Sequence, residues 1–191
     1  MNASDESAMF NVFAENSFRF TPEESDALTK GGRDLSFAKG EIMRSLGDPN
    51  ETVYFLRKGT IKYHMIYPDG TSQTTAFSKA PAILGVMNLN PHQTSINYCS
   101  AITRCEARCV PISLFMERVR ELGLMEKLLH LTIGAARHAY RNLLVTLSGN
   151  RVELADILRN SYGLTLQETA EFIGCSRVHV SRLLKQGRRQ D

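Results

Sequence analysis

The chain has 191 residues, 42% of them hydrophobic, which suits one large globular domain or two small ones around a substantial core. The net charge of +3 is weak, but residues 176–190 hold five Lys/Arg and no Asp/Glu, so the positive charge that matters is local. The opening MNASDESAMF has no basic stretch, and no apolar run approaches the roughly 18 residues of a membrane helix, so a cytoplasmic protein with no membrane contact is expected.

From Phe18 to about Ile112 the pattern is one of short β-rich runs such as ETVYFLRKGTIKYHMIY. Turn signals at Lys39-Gly40, Gly47-Asp48-Pro49, Arg57-Lys58-Gly59 and Pro68-Asp69-Gly70 separate them. Strands spaced so closely imply a sandwich or a barrel. Cysteines at 99, 105, 109 and 175 lack the paired spacing of a zinc site, so no metal is expected. Cys105 and Cys109 are redox partners only if strand geometry allows. Otherwise they are reduced thiols filling space beside a sheet.

From roughly Leu114 to Leu147 the period becomes helical. Leu129, Ile133, Ala136, Tyr140, Leu143 and Leu147 fall on one stripe with the spacing of a coiled-coil seam. Leu128, Leu131, Ala135 and Ala139 form a second apolar face. One face can meet the chain's own β domain and the other a second copy; the alternative is a helix buried on both sides within a monomer. Ser148-Gly149-Asn150 reads as stop and hinge, with another helix from about Arg151 to Arg159.

In LTLQETAEFIGCSRVHVSRLLKQ, Thr165 can cap a short helix with Glu168 completing a capping box, and Gly174 breaks it. Ser176 then caps a second helix. Ala170 is small where the two would cross, and Ile173, Val180, Leu183 and Leu184 supply the packing. This is a helix-turn-helix pattern. It leaves Arg177, Val178, Ser181 and Arg182 on one outer face suited to a DNA major groove. There an arginine can bond guanine N7 and O6, and Val178 can touch a thymine methyl. Ser176 at the helix start suits a phosphate, and Lys185, Arg188 and Arg189 add attraction to the backbone. No nucleophile–base set, carboxylate pair or phosphate loop appears at usable spacing, so an enzyme is not expected.

This order of parts resembles the cyclic-AMP receptor/fumarate-nitrate reduction regulator superfamily over nearly the whole chain. FAKGEIMRSLGDPNETVYFLRKGTIKYHMIYPDG is similar to its sensor roll, and GCSRVHVSRLL to its recognition helix. The resemblance implies an α+β fold. It would comprise an N-terminal double-stranded β-helix, a cupin-like jelly roll, sensing an effector over 1–112; a long dimerisation helix over 113–148; and a helix-turn-helix DNA-binding domain over 149–191. It further implies a homodimer on double-stranded DNA with an inverted-repeat operator, with RNA polymerase as a further candidate partner. Within the superfamily the PDG hairpin looks nearest the halophenol-responsive regulators.

Departures from the family pattern are as informative. Cyclic-nucleotide binders use a Gly-Glu and an Arg-Ser pair; here Gly85 precedes Val86, and the later segment reads Ser95-Ile96, so cyclic AMP is not expected. No cysteine precedes Cys99, which argues against the iron–sulfur cluster of the oxygen-sensing branch. His64 and His92 are conceivable heme ligands, but isolated strand or loop histidines are far more often structural, and heme is not expected. The halophenol regulators carry a lysine where Val86 stands. What remains is an apolar effector pocket between roll and long helix, lined by Leu84, Gly85, Val86, Met87, Asn97, Tyr98, Ala135 and Ala139, for a ligand of unknown identity. Only Asn160 to Leu164 separate the preceding helix from the helix-turn-helix, and the chain ends at Asp191, before the usual wing hairpin, so a minimal wingless domain is expected, with a truncated reading frame as the alternative. The competing reading is a dimeric small-molecule sensor or interaction protein without DNA binding.

Overall fold

The computed structural model describes residues 20–70, 72–90, 92–147 and 149–187. The first element among these residues is a helix, α1 (Pro22–Thr29), where the sequence pattern suggested only β-rich runs. The cause is a local signal in TPEE. The Thr21 hydroxyl accepts the Glu24 N–H at 3.2 Å, the Glu24 carboxylate accepts the Thr21 N–H at 2.8 Å, and Pro22 occupies the first helical position.

Eight strands follow among the described residues: β1 Arg33–Phe37, β2 Ile42–Arg44, β3 Thr52–Lys58, β4 Thr60–Ile66, β5 Ser72–Lys79, β6 Ala82–Leu84, β7 Tyr98–Ala101 and β8 Cys105–Pro111. They form two antiparallel sheets, β1-β8-β3-β6 and β2-β7-β4-β5, the two-layered roll that the turn spacing implied. The Lys58–Thr60 turn requires its glycine: Gly59 has φ 97°, and a Cβ there would collide with the Arg104 carbonyl.

Strand alternation decides what each sheet face does. Along β3, Tyr54 and Leu56 point between the sheets, and Val53 and Phe55 point outward. Along β4, Ile61 and Tyr63 point in, leaving Lys62 and His64 outside. The inner core joins Phe37, Leu56, Ile61, Leu84, Cys99 and Cys105. A second core, on the outer face of the first sheet, joins Val53, Phe55 and Val110 to Leu28 of α1 and to the helices after β8.

The helical stretch expected as one element from about Leu114 to Leu147 is two, α2 (Ile112–Glu121) and α3 (Met125–Leu147). The break is at Gly123, with φ 67°. The Leu122 N–H bonds the Arg118 carbonyl at 2.9 Å and the Leu124 N–H bonds that of Val119 at 2.8 Å, which turns Leu124 into the outer core. Two sides of α3 differ sharply. Leu128 is buried and Leu131 and Ala135 pack beside it against the roll, whereas Leu129, Ile133 and Tyr140 are 59, 49 and 64% exposed. Ala136 and Leu144 are exposed as well. The side chains of Leu143 and Leu147, and the whole of Arg188 and Arg189, lie outside the described residues.

Gly149 and Asn150 start the last unit, with Asn150 Oδ1 accepting the Glu153 N–H at 3.2 Å. Here α4 (Arg151–Asp156) widens into a π turn, Ile157–Ser161, longer than the helix to Arg159 that was expected. The wider turn presents Ile157, Leu158 and Tyr162 together to the roll. Then come α5 (Leu166–Ile173) and α6 (Arg177–Gly187), and no strand follows β8 among the described residues.

Candidate nucleic-acid interface

The two closing helices are set by their own caps. Thr165 and Glu168 exchange hydrogen bonds of 3.2 and 2.8 Å across the first turn of α5, and Gly174 ends that helix in the left-handed region at φ 71°. A side chain at Gly174 would strain the turn that aims α6. Ser176 Oγ then accepts the His179 N–H at 3.2 Å and starts α6. Ala170, Val180 and Leu183 are buried with Ala155 of α4, and Val152, Leu166, Ile173 and Leu184 pack around them. Every packing residue expected from the sequence takes part; Val152, Ala155, Leu166 and Cys175 are additions.

With that side inward, Arg177, Val178, Arg182 and Lys185 are exposed and Ser181 is half-buried. At about 100° per residue these five share one face of α6. Ser176, exposed, stands at its N-terminal end. His179 and Gln186 flank the face and were not singled out in the sequence, although the same periodicity places them there. No carboxylate lies on α6, so the face is uniformly basic or neutral.

The unit carrying this face is docked on the outer side of the second sheet. Phe77 of β5 lies edge-on to Phe172 of α5, with ring centroids 4.7 Å apart, and is 5.2 Å from the Tyr162 ring. The Tyr162 hydroxyl donates to the Phe77 carbonyl at 3.3 Å, and His138 Nε2 of α3 lies 2.8 Å from that hydroxyl and 3.2 Å from the same carbonyl. Three separate pieces of the chain thus meet at one backbone carbonyl. Lys39 adds an ion pair to Glu168 at 3.6 Å. Burial, the strongest single influence on Glu168, pushes its carboxyl up. The Thr165 hydrogen bonds and Lys39 together outweigh it and hold the carboxyl below the usual range.

The eight residues read as an effector lining do not surround one cavity. Leu84 is in the inner core, while Val86 and Ala135 belong to the outer core of the first sheet, where the Thr132 hydroxyl donates to the Val86 carbonyl at 3.4 Å. Gly85 is held against the Thr52 carbonyl, and Met87 is exposed. Asn97 and Tyr98 lie on the second sheet's side, Tyr98 with its ring 5.6 Å from that of His64, and Ala139 is half-buried on α3. Apolar character alone separated neither core from pocket, because the pleat sends neighbours to opposite faces.

His64 has both ring nitrogens engaged, by Ser72 Oγ at 3.2 Å and Ser100 Oγ at 2.8 Å. Burial first, and Lys62 second, push its pKa down to about 4. His92 is exposed on the β6–β7 loop. Burial likewise pushes the Cys99 thiol up to about 12 and that of Cys109 to about 11, so both stay protonated. Cys105 and Cys109 lie on one extended strand, about 13 Å apart along it, well beyond the roughly 7 Å a disulfide spans.

A two-sheet sensor roll, a long helix and a helix-turn-helix with a bare basic face define a transcription regulator in class. Residues 34–121 match the cyclic nucleotide-binding domain, and residues 163–190 match bacterial regulatory proteins of the crp family. The Global nitrogen regulator of Synechocystis sp. is 31% identical, over 78% of this chain and 75% of that protein. The nitrogen fixation regulation protein FixK of Bradyrhizobium diazoefficiens is 26% identical, over 79 and 70%. Among solved structures, FixK2 from Bradyrhizobium japonicum superposes with a TM-score of 0.64 at 23% identity, covering 83% of this chain and 85% of that one. The regulator CLP of Xanthomonas campestris gives 0.67 at 16%, covering 89 and 93%. These two likenesses carry the fold. The chain belongs to the crp family of bacterial regulatory proteins, and it is a DNA-binding transcription regulator with a cyclic-nucleotide-binding-like sensor domain.

Proposed function

We propose that this regulator works as a homodimer paired along α3, and that each subunit reads half of an inverted repeat with Arg177, Val178, Ser181 and Arg182. The observation that carries this reading is the bare apolar side of α3. Leu129, Ile133 and Tyr140 are exposed on a helix whose other side is already packed on the roll. A second copy covers that seam symmetrically, and the two-fold axis sets the recognition helices about 34 Å apart, one turn of DNA. Lys185 adds phosphate attraction, and Arg188 and Arg189 extend the basic run in sequence.

The sensor roll responds to a small effector that biases how the α3 helices pair, and the Gly149 hinge passes that bias to helix spacing. Cyclic AMP is not that effector. Val86 stands buried after Gly85, and Ile96 faces solvent, so the segment offers no guanidinium to a cyclic phosphate. The buried Val86 offers no cation to a halophenolate either. Neither heme nor an iron–sulfur cluster is needed in this reading, which accords with the serine-engaged His64 and the protonated buried thiols. RNA polymerase is the partner through which a DNA-bound dimer would act.

Fluorescence anisotropy on cognate and scrambled duplexes tests the reading. Arg182→Ala should cost about 1–3 kcal/mol on the cognate half-site and much less on scrambled DNA. Equal losses on both duplexes would reduce α6 to a basic surface without sequence readout.

A further inference from the structure

Between the second sheet and α5 lies a groove of about 320 Å³, lined by Lys39, Ile42, Lys62, His64, Glu168 and Phe172 among others. It is separate from the roll's interior, because Lys62 and His64 project from β4 on the side opposite Ile61 and Tyr63, which fill the inner core. Its walls come from both functional units: β2 and β4 of the sensor, and Glu168 and Phe172 of the helix-turn-helix.

The charges in this groove are not balanced. Glu168 is engaged by Lys39 and by the Thr165 N–H and hydroxyl, so its negative charge is already compensated. Lys62 is half-buried, and no carboxylate pairs with it among the described residues. Burial alone pushes its ammonium down from the ordinary lysine value. Partial burial strips some of the ammonium's hydration with no counter-charge beside it among the described residues, so an anion placed there would restore part of what is lost. Beside Lys62, Phe172 and Ile42 supply an apolar wall, and His64 has both ring nitrogens engaged by serines and is kept neutral by burial and by Lys62 itself. One cation left uncompensated among the described residues, next to an aromatic wall and in a cleft between two units, is a small-molecule site in outline.

We propose that this groove binds a small organic anion, a phosphate or carboxylate carrying a flat apolar group, with Lys62 as its counter-charge and Ile42 and Phe172 as its wall. Because the ligand would touch sensor and helix-turn-helix at once, it stabilises the docked arrangement by its differential affinity for it. This is an input distinct from the roll's effector, and it does not depend on how that effector is read.

Calorimetry on the full chain with phenyl phosphate and, separately, inorganic phosphate tests this. Phenyl phosphate should bind one per chain and more tightly than inorganic phosphate. Lys62→Met should weaken it by about tenfold or more, and Lys62→Arg should largely retain it. Lys62→Met removes a half-buried charge with no pair, so the fold should hold, which a thermal melt verifies. Ile42→Ser should weaken phenyl phosphate and leave inorganic phosphate unchanged. Wild-type affinity in Lys62→Met overturns the proposal. So does loss of phenyl phosphate binding in Arg182→Ala, since the anion would then sit on the DNA-binding face.

Discussion

On the sheet β1-β8-β3-β6 the outer face is closed by apolar side chains from neighbouring helices, with Leu28, Phe115, Val119, Leu124 and Leu128 all buried over Val53, Phe55 and Val110. The outer face of β2-β7-β4-β5 is mixed. Phe77 is buried against Tyr162 and Phe172, but Lys62, His64 and Ser100 stand next to it, and the contact includes an ion pair and hydrogen bonds to one carbonyl. The first face is a folding core. The second has the polar content of a contact between units that fold separately and dock. Both faces belong to one roll, so the difference lies in what covers them: α1 and α2 seal the first with apolar side chains, while the helix-turn-helix meets the second through a mixed apolar and polar contact.

Truncating the sealed face should do the most damage. Phe115→Ala, at a fully buried site packed on Phe55, should lower global stability by about 3–5 kcal/mol in urea unfolding. On the mixed face, Phe77→Ala should cost less, about 1.5–3 kcal/mol, and the loss should be local. Amide hydrogen exchange should accelerate in α4, α5 and α6 and stay slow in α2. A uniform acceleration through both would erase the distinction between core and docked contact.

A pH titration sharpens the contrast further. His64 is held neutral, its pKa lowered from 6.5 to about 4, so the unfolded chain binds a proton that the folded chain refuses between those values. Its stabilising contribution is complete above about pH 6.5 and is lost as pH falls toward 4. His64→Asn should flatten this part of the stability–pH curve, measured by urea unfolding at successive pH values. An unchanged slope would mean that the ring is not excluded from protonation.

The smallest effect on folding should come from the bare side of α3. Ile133→Glu removes no contact from either sheet face, so monomer stability should shift by no more than about 0.5 kcal/mol. Sedimentation should nevertheless show the dimer falling to monomer, because the charge enters the seam. Wild-type association in this variant would leave the seam without a role.

Much of this molecule is written locally. The Thr165–Glu168 box, the Gly174 turn, the Ser176 cap and the inward set Ala170, Val180 and Leu183 act over three or four residues, and the helix-turn-helix is therefore legible in the amino-acid pattern itself. So is the two-faced α3, because a helical period assigns faces without reference to the rest of the fold. Even α1, which the β-rich surroundings obscured, is announced by the cap in TPEE. Tertiary structure alone decided the rest. Whether Leu84 and Val86 line a pocket or fill two different cores depends on which layers lie on each side of β6 and the loop after it. The meeting of Phe77 with Phe172, and the groove in which no described carboxylate pairs with Lys62, arise between segments far apart in the chain. No period or spacing encodes such contacts, because they depend on how two finished surfaces fit rather than on any residue's neighbours in sequence.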